Sequence, residues 1–336
     1  MKKRYILIMF SIFAVAKIAI GQSMHFSQFY NAPFLLSPAQ TGFLQDNQYR
    51  VGFNFRNQWA TIPVNYNTFS VFADAALNKG RWENSWLGTG IAAYRDVAGD
   101  GKLALTKLQG NIAYHVMLGE KSLLSTGLGA SYNQRSVDIS KLTFDMQWNE
   151  ISFDRNIPNG ENISAQKTQF VDLNAGMNFA FTGEIFYLNV GISALHINQP
   201  TETFYGMTNK LGLRPQLNLD VVYKASEKMM IQPMVYYTRQ KKASILLGGS
   251  LFRFAVGDLS LSPDEFVIGA FYRNKDAAIA TVGYKRKRHQ VMFSYDHTVS
   301  DLSNGNNGIG AFEISLILQG IKNSAESLNA YGCPRF

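Results

Sequence analysis

Asp296 and His297, with Ser294 two positions upstream, are the residues of this 336-residue chain whose types come nearest to a nucleophile, base and orienting acid. A hydrolase needs three such side chains to converge. In extended backbone, successive side chains point to opposite faces, so Ser294 and Asp296 share one face while His297 takes the other. The set does not converge, and no serine stands in a Gly-x-Ser-x-Gly frame. Asp96-Val-Ala-Gly-Asp-Gly101 offers two carboxylates without the twelve-position calcium pattern or its closing glutamate, and reads as a Gly-rich hairpin turn. Gly305-Asn-Asn-Gly-Ile-Gly310 has neither the lysine nor the helix that a phosphate loop requires. The five histidines are dispersed and Cys333 is the sole cysteine, which leaves no zinc spacing and no internal disulfide. The chain is therefore read as a non-enzyme, with no catalytic residue, metal or cofactor assigned.

The elements that carry these residues alternate with a period of two. Val51, Phe53 and Phe55 alternate with Gly52, Asn54 and Arg56. In the next segment Phe69, Val71, Ala73 and Ala75 oppose Thr68, Ser70 and Asp74, with Phe72 breaking the polar row. Val171, Leu173, Ala175, Met177, Phe179 and Phe181 oppose Asp172, Asn174, Gly176 and Asn178. Similar segments follow to 319, giving about fourteen strands of about ten residues, an even number suited to a closed antiparallel outer-membrane barrel. The fold class expected is all-β: a transmembrane antiparallel β-barrel with an N-terminal plug-like coil and long extracellular loops. A secreted β-sandwich also alternates, but its outer faces would be charged; here the polar faces are Gly, Asn, Ser, Gln and Thr, as suits a lumen.

Charged residues make up 17% of the chain and aromatics 13%, and the mean hydropathy of -0.10 spreads apolar character evenly. The one continuous apolar run, Ile6 to Ile20, follows Lys2, Lys3 and Arg4 and precedes small residues at a cleavage site, which reads as a signal peptide over 1–21. Lys2, Lys3, Arg4 and Lys17 leave with it, so the formal charge falls from +8 to +4. An exported chain with scattered basic residues excludes a nucleic-acid partner. Residues 22–48 form the N-terminal coil, 49–320 the barrel and 321–336 a tail. With the N-terminus in the periplasm, the short turns at Gly119-Glu120, Thr182-Gly183-Glu184, Ala225-Ser226-Glu227 and Arg286-Lys287-Arg288 are periplasmic. The connections Ser136–Gln169, Asn198–Gly212 and Thr298–Gly308 are long and extracellular, while Ala255–Asp264 is long on the periplasmic side.

Aromatic residues supply the partner-binding candidates. Phe26, Phe29 and Tyr30 lie in the coil around Pro33 and Pro38, which is neither regular helix nor central strand. With Phe34 and Leu35 they are too apolar for water, so the coil is expected to fold into the barrel or seal its periplasmic end. Phe144, Trp148 and Phe153 sit in the longest loop among Asp138, Asp145, Glu150 and Asp154, and either cover the barrel mouth or present a binding surface. Trp59, Trp86, Tyr94, Tyr114, Phe181, Tyr223, Tyr272 and Tyr284 are expected in interfacial girdles. Lys285-Arg-Lys-Arg-His289 is the densest charge cluster and caps a periplasmic turn, with an acidic partner as a second reading.

Several short motifs, in order, carry a family resemblance: His25-Phe-Ser-Gln-Phe-Tyr30, Pro38-Ala39 with Thr41-Gly42, Arg56-Asn-Gln-Trp59 and Asp96 with Gly99–Gly101. They continue with Ala194-Leu-His-Ile197 and Pro200, Gly269-Ala-Phe-Tyr-Arg273, Ser294-Tyr-Asp296 and Cys333-Pro-Arg-Phe336. In these the chain resembles the PorP/SprF family of outer-membrane proteins of the Bacteroidetes type IX secretion system, departing at Ser37 where the family's Asn is expected. The resemblance implies an outer-membrane accessory that assists export or surface attachment of large adhesins, as in gliding, by binding their C-terminal domain. For some members it also implies a periplasmic OmpA-like peptidoglycan-binding partner. A passive channel or small-solute transporter is the alternative, and the two differ in whether the lumen is open.

Overall fold

The computed structural model describes residues 24–44, 47–61, 65–161, 166–204, 209–257 and 264–320. The expected signal peptide and the tail with Cys333 lie outside them. The fourteen strands are β1 Tyr49–Gln58, β2 Tyr66–Leu77, β3 Ser85–Ala98, β4 Leu103–Met117, β5 Ser122–Ser136, β6 Lys167–Thr182 and β7 Phe186–Leu195. They continue with β8 Arg214–Ser226, β9 Met229–Gln240, β10 Ala243–Val256, β11 Asp264–Arg273, β12 Ala277–Arg286, β13 His289–Thr298 and β14 Ile309–Gly320. Each pairs antiparallel with its sequence neighbours, and β1 closes on β14 from Tyr49↔Gly320 to Gln58↔Ala311. Closure leaves no sheet edge unpaired, the condition for strands to cross a bilayer. Among the described residues no helix is long and apolar enough to cross a membrane.

Alternation sorts side chains into an apolar outer band and a polar lumen. Ile91, Leu108, Ile112, Leu128, Val171 and Ile192 are exposed on the outside, whereas Asn54, Ser70, Asn111, Ser125, Asn174 and Asn178 are buried inside. The long connections share one end of the barrel, the loop end; the other, where β1 begins and β14 finishes, is the turn end. The link after β10 is also at the turn end, and 258–263 within it lie outside the described residues.

Parity corrects the girdle. Tyr114, Tyr223, Tyr272 and Tyr284 are exposed on the outside, but Trp86 and Tyr94 are buried and point into the lumen. Both fall in the register of Gly88, Gly90 and Ala92, the inward row of β3. Alternation separates two faces without saying which one meets lipid, and an aromatic on the inner row needs something inside to pack against.

Candidate functional site: a plug locked in the barrel lumen

Residues 24–44 lie inside the barrel. Prolines divide them into single turns, so the coil is more ordered than the sequence suggests. A 3-10 turn at Phe29–Asn31 leads into the one-turn helix α1, Pro33–Leu36, with Pro at its first position, and then a 3-10 turn at Pro38–Gln40. Proline suits these starts because its missing N–H has no partner there in any case. Ser37 Oγ accepts from Ala39 N at 3.2 Å, so the departure from the expected Asn keeps the turn-capping function.

Irregular backbone at membrane depth must find its hydrogen bonds in the wall. Asn54 Nδ2 donates to Asn31 O at 3.1 Å, Gln109 Nε2 to Phe34 O at 3.3 Å and Ser193 Oγ to Leu36 O at 2.6 Å. Trp86 Nε1 donates to Gly42 O at 3.0 Å, and the ring stacks on His115 with centroids 4.9 Å apart. His115 Nε2 lies 2.9 Å from Thr41 O. A carbonyl only accepts, so Nε2 carries the proton and Nδ1 faces Ser125 Oγ at 2.7 Å. Gly42 N donates to Asp74 Oδ2 at 2.7 Å, and Arg50 grips the same carboxylate at 2.8 and 3.0 Å. Lys79 caps Leu44 O.

At two points where the plug backbone lies directly on a strand, the wall residue is glycine. A Cβ on Gly88 would sit 1.9 Å from Thr41 O, and one on Gly127 would sit 2.5 Å from Ala39 N. Gly88→Ala is therefore expected to lower stability by roughly 1–3 kcal/mol through overpacking against rigid backbone. Denaturant midpoints, read against Gly110→Ala where a Cβ meets open space, check this; equal midpoints would refute it.

Apolar residues on the lumenal faces mark the remaining contacts. Phe29 stacks on Tyr236 at 5.5 Å and meets Phe271 edge-on at 6.3 Å, while Tyr30 stacks on Phe271 at 5.8 Å. Phe29 and Leu36 share one cluster with Met234, Leu247, Val267 and Met292. Phe34 packs on Phe72, Ala92, Tyr94 and Ile317 in a second. Phe72, the residue that breaks the polar row of β2, is thus a plug contact.

The charge lock lies in the loop-side half of the lumen. Arg56 is buried between Asp296, at 3.1 Å, and Glu313. Arg273 Nη2 reaches the same Asp296 oxygen at 2.8 Å, and its Nε pairs with Asp276 at 2.6 Å. Ser27 of the plug joins both halves: its hydroxyl donates to Asp296 at 2.7 Å and accepts from Arg56 and Arg273 at 2.7 and 2.8 Å. The backbone N–H groups of Ser27 and Gln28 donate to the two oxygens of Glu313 at 2.6 and 2.9 Å. Two buried cations face two buried carboxylates at close range, with the part-exposed Asp276 as a third acid, which is what keeps buried charge tolerable. Ser294 and Asp296 serve this lock and His297 points away, as their parity required.

Of the candidate binding residues, Phe26 and Phe29 are buried in the plug, and Phe29 and Tyr30 meet each other and the wall at Phe271. The loop set is separate. Phe144 is half-buried, whereas Trp148 and Phe153 form a bridge and a ring pair 5.0 Å apart at an exposed hairpin tip. Met146 and Ile151 extend that exposed patch and were not singled out in the sequence. Glu313 and Asp74 were not singled out as plug ligands either; each is an acid on the inward row of a strand, which was the available signal.

Among solved structures, the chain is similar to the Ralstonia pickettii toluene transporter TbuX (10% identity, TM-score 0.50, covering 87% of this chain and 94% of that one). It is also similar to the toluene transporter TodX of P. putida (8% identity, TM-score 0.45, 87% and 95% covered) and a Pseudomonas aeruginosa FadL homologue (9%, 0.47, 84% and 92%). At 10% identity the likeness to TbuX speaks to the outer-membrane barrel fold alone. No curated protein matches the chain by sequence. The family model for the type IX secretion system membrane protein PorP/SprF matches residues 18–318, which takes in the plug with its lock and all of the barrel but the last two residues of β14. The chain belongs to the PorP/SprF family of type IX secretion system membrane proteins.

Proposed function

We propose that this protein is a non-enzymatic accessory of type IX secretion in the outer membrane, assisting export or surface attachment of large adhesins by binding their C-terminal domain. The observation that carries this reading is the plug: a lumen filled by 24–44 and held by buried charge offers no open path for a cargo chain. Cargo is then handled at the barrel's surface. With the turn end in the periplasm, the tip with Trp148 and Phe153 faces the exported adhesin as a rigid aromatic anchor. The exposed Arg286 and its neighbours Lys287 and Arg288 face the periplasm, where an OmpA-like partner docks.

Deleting the gene and counting adhesins at the cell surface tests the proposal. Display is expected to fall and to recover with the wild-type gene. Unchanged display would sink the accessory reading.

A further inference from the structure

The plug does not fill the turn end completely. A cavity of about 270 Å³ remains there, floored by Tyr30, Asn31 and Pro33 of the plug and walled by Leu251, Val267 and Met292. That is room for about nine waters, and so for a small amphiphile rather than a drug-sized ligand. Its charged lining is Arg50, Arg253, Lys285 and Asp220, and the acids that pair with the cations, Asp74 and Glu265, are not themselves part of the lining.

The hydrogen bonds show where donor capacity is left over. Both oxygens of Asp220 accept from Gln232 Nε2, at 2.9 and 3.1 Å, and Gln232 Oε1 accepts from Arg253 at 3.1 Å. Arg50 is held by Asp74. Arg253 and Lys285 share the one carboxylate of Glu265, each at 2.7 Å, and Asp220 reaches Arg253 only through Gln232, so what is left over is donor capacity. Lys285 has three donors and Arg253 five, more than these contacts use. Arg286, Lys287 and Arg288 follow directly in the β12–β13 turn and raise the local anion concentration.

We infer that this cavity binds a carboxylate carried on a short apolar stem, with Arg253 and Lys285 taking the carboxylate and Leu251, Val267 and Met292 the stem. Such a group comes either from a free small acid or from an acidic side chain of a polypeptide. Because Tyr30 and Asn31 form the floor, an occupant also rests on the plug.

Calorimetric titration of the purified full-length protein in detergent tests this. The probes are hexanoate, 1-hexanol, hexylammonium and the blocked peptide N-acetyl-leucyl-glutamate amide. At least one acid is expected to bind, while the alcohol and the amine do not. Lys285→Gln should weaken that binding by about tenfold or more, as for a lost charge-assisted hydrogen bond. Leu251→Trp, which adds bulk to the cavity wall and leaves every charged residue in the sequence, should abolish it. Heat-modifiable gel migration confirms that each variant is a folded barrel. Tighter binding of the peptide would assign the site to a polypeptide, and tighter binding of hexanoate to a free acid. Equal binding of hexanol and hexanoate would overturn the inference, as would binding that survives both substitutions or no binding of either acid.

Discussion

Arg56→Ala is expected to free the plug while leaving the barrel closed. The substitution strands Glu313 and leaves Asp296 with Arg273 alone, and removing one partner of a buried ion pair costs about 3–5 kcal/mol because the charge left behind is uncompensated. The cost falls on the plug, since Asp296 and Glu313 sit on strands whose ladders are complete without it, whereas Ser27 and Gln28 depend on those two carboxylates. Amide hydrogen exchange reads this directly. The amides of Ser27 and Gln28 should exchange roughly two to three orders of magnitude faster in the variant, with the β13 and β14 amides unchanged. Equal acceleration in the strands would show that Arg56 holds the barrel rather than the plug. Arg56→Lys keeps a charge but loses the planar fork that reaches two acids, so its effect should fall between.

Phe29→Ala should have an effect of similar size by a different route. Phe29 is buried against Tyr236 and Phe271, and truncating a buried Phe to Ala costs about 3–5 kcal/mol, part transfer and part cavity. Because 24–44 has no strand partner and leaves as one unit, the two substitutions should not add. Once Arg56→Ala has released the plug, Phe29→Ala has little left to break, and the double variant should resemble the single one. Full additivity would mean that the coil detaches piecemeal. The same reasoning bears on replacing Phe26, Phe29 and Tyr30 with serine: the barrel should assemble and the plug should not seat.

Each strand core was legible in the sequence because alternation is written locally. Phe53 and Asn54 declare opposite faces whatever else the chain does, and closure follows from strand number and turn lengths. The inner face was harder. Trp86 and Tyr94 read as girdle residues because aromatics in a membrane strand ordinarily meet the interface, and only the plug supplies the carbonyl and the rings that hold them inside. Phe72 carried the clearest hint, since an apolar residue in a polar row demands a partner. The lock was legible only as motifs. Ser27, Arg56, Arg273 and Asp296 fall in four separate motifs, and their meeting is a consequence of barrel closure, which brings β1 beside β14 and β13 next to it. Glu313, in none of those motifs, joins because closure sets Arg56 directly opposite it. Nothing in the sequence sets Gly88 and Gly127 apart from the other glycines of the strands; the plug backbone lying on them does.

That the barrel is closed by its own N-terminus is the claim on which the accessory reading turns, and conductance in planar bilayers measures it. The wild-type protein is expected to carry no steady current, while a variant lacking 24–44 and Arg56→Ala should open. A wild-type protein with a steady current matching that of the plug-deleted variant would contradict the account.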